Sequence, residues 1–138
     1  MPPKEVMEEV GAWTAKAESD FKAIELMLPV DDAPFDTVCF HAQQGAEKYL
    51  KALLVFHGIS FRKTHDLTEL LLLLPGNSGV PAEVGDLTDL TYEAIVSRYP
   101  DMGMVYDRKT AEDAVRTAEL VKSSVLEELR SEGYVAPT

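Results

Sequence analysis

Phe40, Gln44, Glu47 and Lys51 fall at i, i+4, i+7 and i+11, one straight stripe on a helix, with Gln43 beside it. A ring, two amides, a carboxylate and an ammonium on one strip can stack on, hydrogen-bond to and neutralise a polar anion. Arg62, Lys63 and His65 follow, and residues 41–65, with only Glu47 as an acid, form the one positive part of a chain of net charge −11 when it is divided at its turns. A polyanion would bind there, with Lys48, Lys51, Arg62, Lys63 and His65 as contacts; a solvated surface charge is the plain alternative for any one of them. Two further charges sit on apolar stripes. Asp20 shares one with Trp13, Ala17 and Ile24, so a cation or a set of donors must meet it unless it reaches water at the stripe's edge. Arg98 prolongs another to the end of its helix, as a partner for Asp20 or Glu47 or as a claw for an anionic ligand.

The elements that carry these residues follow from apolar spacing and from breakers. A first helix runs from about Pro3 to Leu28, with Val6, Val10, Trp13, Ala17, Ile24 and Leu28 as its core stripe. After the turn Val30–Pro34, the central helix runs from Pro34 or Phe35 to Gly58. Its apolar face is Val38, Ala42, Ala46, Tyr49, Leu50, Leu53 and Phe56, with Cys39 and Leu54 at the edge. A second strip, His41, Gly45, Lys48 and Ala52, is small-sided enough for another helix to lie close. Beyond the basic linker Ile59–Lys63, Thr64 or Asp66 caps a short helix to Leu74, with Asp66 to Glu69 spaced as a capping box. Its five consecutive leucines predict enclosure on most sides. Asn77–Val80 is a loop, and Pro81 opens a helix with Val84, Leu87, Thr91, Ala94 and Ile95 inward, which stops near Tyr99 because Pro100 disfavours helical geometry before it. After the loop Asp101–Tyr106, a last helix spans Asp107 to Arg130, with Ala111, Ala114, Val115, Ala118, Val121, Val125 and Leu129 as its core face. Residues 1–3 and 133–138 read as frayed ends. The fold class is all-α: a single domain over residues 1–138, an antiparallel, up-and-down four-helix bundle with one additional short helix.

Composition narrows the chemistry. With 46% hydrophobic and 27% charged residues the chain is an ordinary globular one, and no apolar run reaches a membrane span. The acidic stretch Met1–Val10 is no signal peptide, so a cytoplasmic location is expected. The net charge argues against wholesale binding to nucleic acid or anionic lipid. The single cysteine, Cys39, reads as a buried inert thiol. His41, His57 and His65 form no i, i+4 pair, so no metal site is expected. Gly76-Asn77-Ser78-Gly79 lacks the Gly-Lys-Ser/Thr ending of a phosphate loop, no Gly-x-Ser-x-Gly elbow occurs, and no cofactor is expected.

Three ordered motifs, Phe40-His41-Ala42-Gln43-Gln44-Gly45-Ala46-Glu47-Lys48-Tyr49-Leu50-Lys51-Ala52-Leu53-Leu54, Thr64-His65-Asp66-Leu67 and Ser97-Arg98-Tyr99-Pro100-Asp101, together with Trp13 and Asp20, resemble the HEPN domain family (higher eukaryotes and prokaryotes nucleotide-binding). The resemblance covers nearly the whole chain. It implies a helical bundle that forms a homodimer and, in prokaryotes, is encoded beside a minimal nucleotidyltransferase in a two-gene toxin-antitoxin module. For the site it implies an ATP-like nucleotide: a base stacked on Phe40 or Tyr99, Gln43 and Gln44 reading its edge, Lys48, Lys51 or Arg98 on phosphates, and Asp20 and Glu47 orienting the cations. Members that cut RNA share an Arg followed four to six residues later by a His. Here only two residues separate Arg62 from His65, and no His follows Arg98. A metal-independent ribonuclease with His65, Arg98 or Arg62 as catalytic candidates therefore ranks below nucleotide binding, and the chain reads as a binder more than an enzyme. A dimeric scaffold without a ligand is the third reading.

Overall fold

The computed structural model describes residues 2–76, 78–80, 84–100 and 103–135. Among them are five helices and no strand: α1 (Lys4–Met27), α2 (Phe35–Phe56), α3 (Leu67–Leu73), α4 (Val84–Val96) and α5 (Arg108–Ser131). Pro81 as a helix opener, Asn77, Asp101 and Met102 in their loops, and the expected fraying of Met1 and residues 136–138 lie outside the described residues.

The helix ends follow local chemistry. Asp66 caps α3 by accepting hydrogen bonds from the Thr68 and Glu69 amides, and Asp107 caps α5 through the Thr110 amide. Gly58, just past α2, takes a φ of 69°, which a side chain would resist. Gly133 does the same after α5, and the Tyr134 amide then returns to the Leu129 carbonyl at 2.9 Å. Tyr134 packs its ring edge-on against Phe56, so residues 133 and 134 close the helix where fraying was expected.

α2 is the axis of the molecule. It packs against each of the other four helices, and none of its residues is fully exposed. Lys48 of α2 meets Asp20 of α1 while Tyr49 meets Glu18, so these two helices are antiparallel. Arg108 lies over Phe35 and His57 binds Glu128, so α5 runs parallel to α2. In an up-and-down bundle these two are diagonal partners, yet they pack extensively. Small residues explain the approach: α5 buries Ala111, Ala114 and Ala118, and α2 buries Ala42 and Ala46. The predicted α5 face is buried in full.

The small-sided strip of α2 receives α1. A Cβ on Gly45 would stand 2.6 Å from the Phe21 ring, which itself leans on Tyr49. Phe21, absent from the predicted core stripe, is buried for this reason. Two expectations need correction. The leucine run is only half enclosed: Leu70 and Leu74 are buried, but Leu72 is 72% exposed, because seven residues on one face of the bundle cannot be covered all round. On α4, Leu90 takes the inward place expected for Ile95, which is 48% exposed.

Candidate functional site

The α2 stripe is more internal than its composition suggests, and its charges are matched in pairs. Glu47 is buried, with its side chain 4% exposed. Lys51 Nζ donates to Glu47 Oε2 at 3.0 Å, and Gln43 Nε2 and the His65 ring Nδ1 donate to Oε1 at 3.0 and 2.8 Å. Gln43 Nε2 also reaches the His65 carbonyl at 2.8 Å, and Gln44 Nε2 donates to Gln43 Oε1 at 2.8 Å. Every member of this network has a partner, which is the condition for a buried polar group to be tolerated. The Lys51 ammonium is closed off by Trp13 and Phe61, at 5.4 and 5.7 Å from the ring centroids. Lys51 therefore neutralises Glu47 and faces rings where an open phosphate contact was expected.

Asp20 is met by donors, as its place on an apolar stripe requires. Lys48 Nζ donates to its Oδ2 at 2.6 Å and His41 Nδ1 to its Oδ1 at 2.8 Å. His41 was not singled out for this role, although its strip faces α1 and would have pointed to it. Arg98 pairs with neither Asp20 nor Glu47, so the first of its two expected roles, an ion pair with one of these acids, is not what the structure shows. Both acids already have cations on α2, Glu47 from Lys51 one turn along the same helix and Asp20 from Lys48 across the α1–α2 contact, and Arg98 lies just past the end of α4. Its guanidinium instead lies 5.0 Å from the Phe40 ring centroid, and among the described residues no carboxylate pairs with it. Thr37, Phe40, Ser97 and Arg98 line a cavity of about 220 Å³ at the N-terminal end of α2. Tyr99, next in the chain after Arg98, is 57% exposed. Thr37 carried no signal in the sequence and Ser97 only a place in the Ser97–Asp101 motif, since the two join the cavity through the packing of α4 on α2.

The remaining candidates divide. Arg62 is bound to Glu69 through Nε at 2.9 and 2.8 Å, so it is turned away from His65. The His65 side chain is 59% exposed, and among the described residues its ring is held by Glu47 through Nδ1 and its backbone carbonyl by Gln43. His57, at the far end of α2, binds Glu128, which also takes the Ser78 hydroxyl and the Gly79 amide. That acid is held below the usual carboxylate range: burial pushes it up, and His57, Ser78 and Gly79 together outweigh the burial. Each histidine thus has its own carboxylate. Among the described residues no group of three or more His, Cys, Asp or Glu is placed to hold a metal. Cys39 is fully buried, and burial first, then Glu93 and Asp36, push its thiol up to about 12.

The structure thus joins Phe40 and Arg98, and His65 with Gln43, Gln44, Glu47 and Lys51. Lys48 and Asp20 form a third group on the α1 side. The HEPN domain model matches residues 10–129. TT1696 from Thermus thermophilus is similar in structure, with 30% identity and a TM-score of 0.76 over 87% of this chain and 98% of that one. ST0689, described as an archaeal HEPN homologue, is 27% identical with a TM-score of 0.69, over 87% and 97% of the two chains. None of the curated proteins matches the chain. No helix among the described residues is long and apolar enough to cross a membrane.

Proposed function

The chain belongs to the HEPN domain family, and from that premise we propose that it is a nucleotide-binding module with an ATP-like ligand at the Phe40–Arg98 end of α2. The observation that carries this reading is Arg98, which lies over the Phe40 ring beside a small cavity and has no carboxylate partner among the described residues, whereas Lys51, deeper in the fold, is matched by Glu47. A base stacks against Phe40 or Tyr99, and Arg98 holds a phosphate. Lys48, 22% exposed in its side chain, is the second accessible cation, oriented by Asp20.

The module acts as a homodimer, beside a minimal nucleotidyltransferase in a two-gene toxin-antitoxin system. Tyr92 and Ile95, three residues apart on α4 and both exposed, support the dimer as apolar surface on one side of that helix. A metal-independent ribonuclease has less support, because Glu69 holds Arg62 and no histidine follows Arg98.

Calorimetric titration with ATP at low salt tests the reading. Wild type is expected to bind in the micromolar range, about −8 kcal/mol, and Arg98→Ala to lose the binding. The same preparation, incubated with single-stranded RNA without metal, is expected to leave it uncut. Absence of heat with wild-type protein would remove nucleotide binding and leave the scaffold.

A further inference from the structure

Phe40, beneath Arg98, and Glu47, which holds His65, lie seven residues apart on the same stripe of α2. Their separation is about 10 Å along the helix axis. Gln44 lies between them, half-buried. Two chemically distinct groups, a guanidinium on a ring and an imidazole on a carboxylate, therefore mark the ends of one strip.

His65 is fixed in an unusual way for an exposed side chain. Its carbonyl accepts from Gln43 Nε2 and its ring Nδ1 donates to Glu47 Oε1, both at 2.8 Å, while the side chain remains 59% exposed. With Nδ1 turned to the buried carboxylate, Nε2 is the nitrogen left for a ligand. The charged groups around it are few. From α2 they are Glu47 and, behind it, Lys51, closed off by Trp13 of α1 and by Phe61. On its own segment Asp66 is turned to the amides of α3, Arg62 is bound to Glu69 of α3, and Lys63 is exposed. From α4 the contact to this segment is the Thr91 hydroxyl, which accepts from the Leu67 amide. Among the described residues only Glu47 bonds the ring.

Resting on the nucleotide-binding reading above, we infer that His65 contacts the terminal phosphate of a nucleoside triphosphate whose base and first phosphate sit at Phe40, Tyr99 and Arg98, and that protonation of its imidazole couples triphosphate affinity to pH. A neutral ring presents a lone pair at Nε2, which gains nothing from a phosphate oxygen. A protonated ring donates a charge-assisted hydrogen bond there. Histidine makes that exchange between about pH 5 and 8. A monophosphate held at Arg98 is too short to reach the far end of the strip, so the coupling distinguishes triphosphate from monophosphate.

The test is calorimetric titration of the full chain with ATP and with AMP at pH 6 and pH 8. ATP changes its own charge in this range, so the quantity read is the part of the pH effect that depends on His65. Wild type is expected to bind ATP about tenfold more tightly at pH 6 than at pH 8, the size of one charge-assisted bond. His65→Gln is expected to lose most of that difference, His57→Gln, at the other end of the bundle, to keep it, and AMP to show none with any of them. An equal pH effect in His65→Gln, or with AMP, overturns the inference while leaving nucleotide binding in place. No binding of ATP by wild type at either pH removes both. Should His65→Gln fail to fold by circular dichroism, the wild-type protein decides: the midpoint of the His65 ring-proton NMR titration must move to higher pH with ATP and stay with AMP, and a midpoint unmoved by ATP sinks the inference.

Discussion

Glu93 shows how far one residue's surroundings can alter its chemistry. It is half-buried on α4, and burial first, then Asp89 and Asp113, push its carboxyl up to about 7. Because that value lies above the one in the unfolded chain, the proton on Glu93 stabilises the fold. The contribution is complete below the ordinary value of 4.5 and is lost as pH rises through about 7. Glu93→Gln, which imitates the protonated acid, is therefore expected to match wild type at about pH 4 and exceed it at about pH 8. Discounted for solvent screening, the gain is about 1 kcal/mol, or about 4 °C in Tm. Thermal melts at the two pH values decide it, and an equal difference at both would exclude Glu93 as the cause. Nothing in the sequence marked this residue, since Asp113 approaches it only by the packing of α5 on α4. Asp20 is the opposite case. Its place on an apolar stripe required a partner, and Lys48 and His41 supply it.

At the scale of elements, the α1–α2 contact depends on Gly45. The strip His41, Gly45, Lys48 and Ala52 was legible as a close-packing surface, and the Phe21 ring lies where a Cβ on Gly45 would point. Gly45→Ala gains helix propensity of about 1 kcal/mol but overpacks a ring already held against Tyr49, at a cost of about 1–3 kcal/mol. The expected result is a net loss of about 1 kcal/mol in urea denaturation, recovered in part by adding Phe21→Leu. If Gly45→Ala is as stable as wild type and Phe21→Leu adds nothing to it, the close contact does not limit the packing. The α2 stripe was legible as a row of residue types and not as an environment. Spacing put Glu47 and Lys51 on a polar side, whereas Trp13 of α1 and Phe61 of the linker cover them and make the pair internal.

At the scale of the whole molecule, the exposed pair Tyr92 and Ile95 on α4 is the feature a lone monomer of net charge −11 does not explain. The proposed homodimer covers it. Sedimentation at micromolar concentration is expected to give a dimer for wild type and a monomer for Ile95→Glu, which places a charge on this exposed apolar surface with little effect on the melting temperature. A monomeric wild type would refute the dimer. The sequence by itself determined the helices, their caps and most of the inward faces, because breakers, cap residues and 3.6-residue periodicity act within one turn of chain. It also determined the family, through motifs whose order along the chain survives whatever their contacts. What only the tertiary structure decided is which polar residues are matched with one another. Glu47 met His65 across 18 residues of chain, and Arg98 met Phe40 in place of an acid. Such pairings depend on how helices lie across one another, a geometry that no local spacing records.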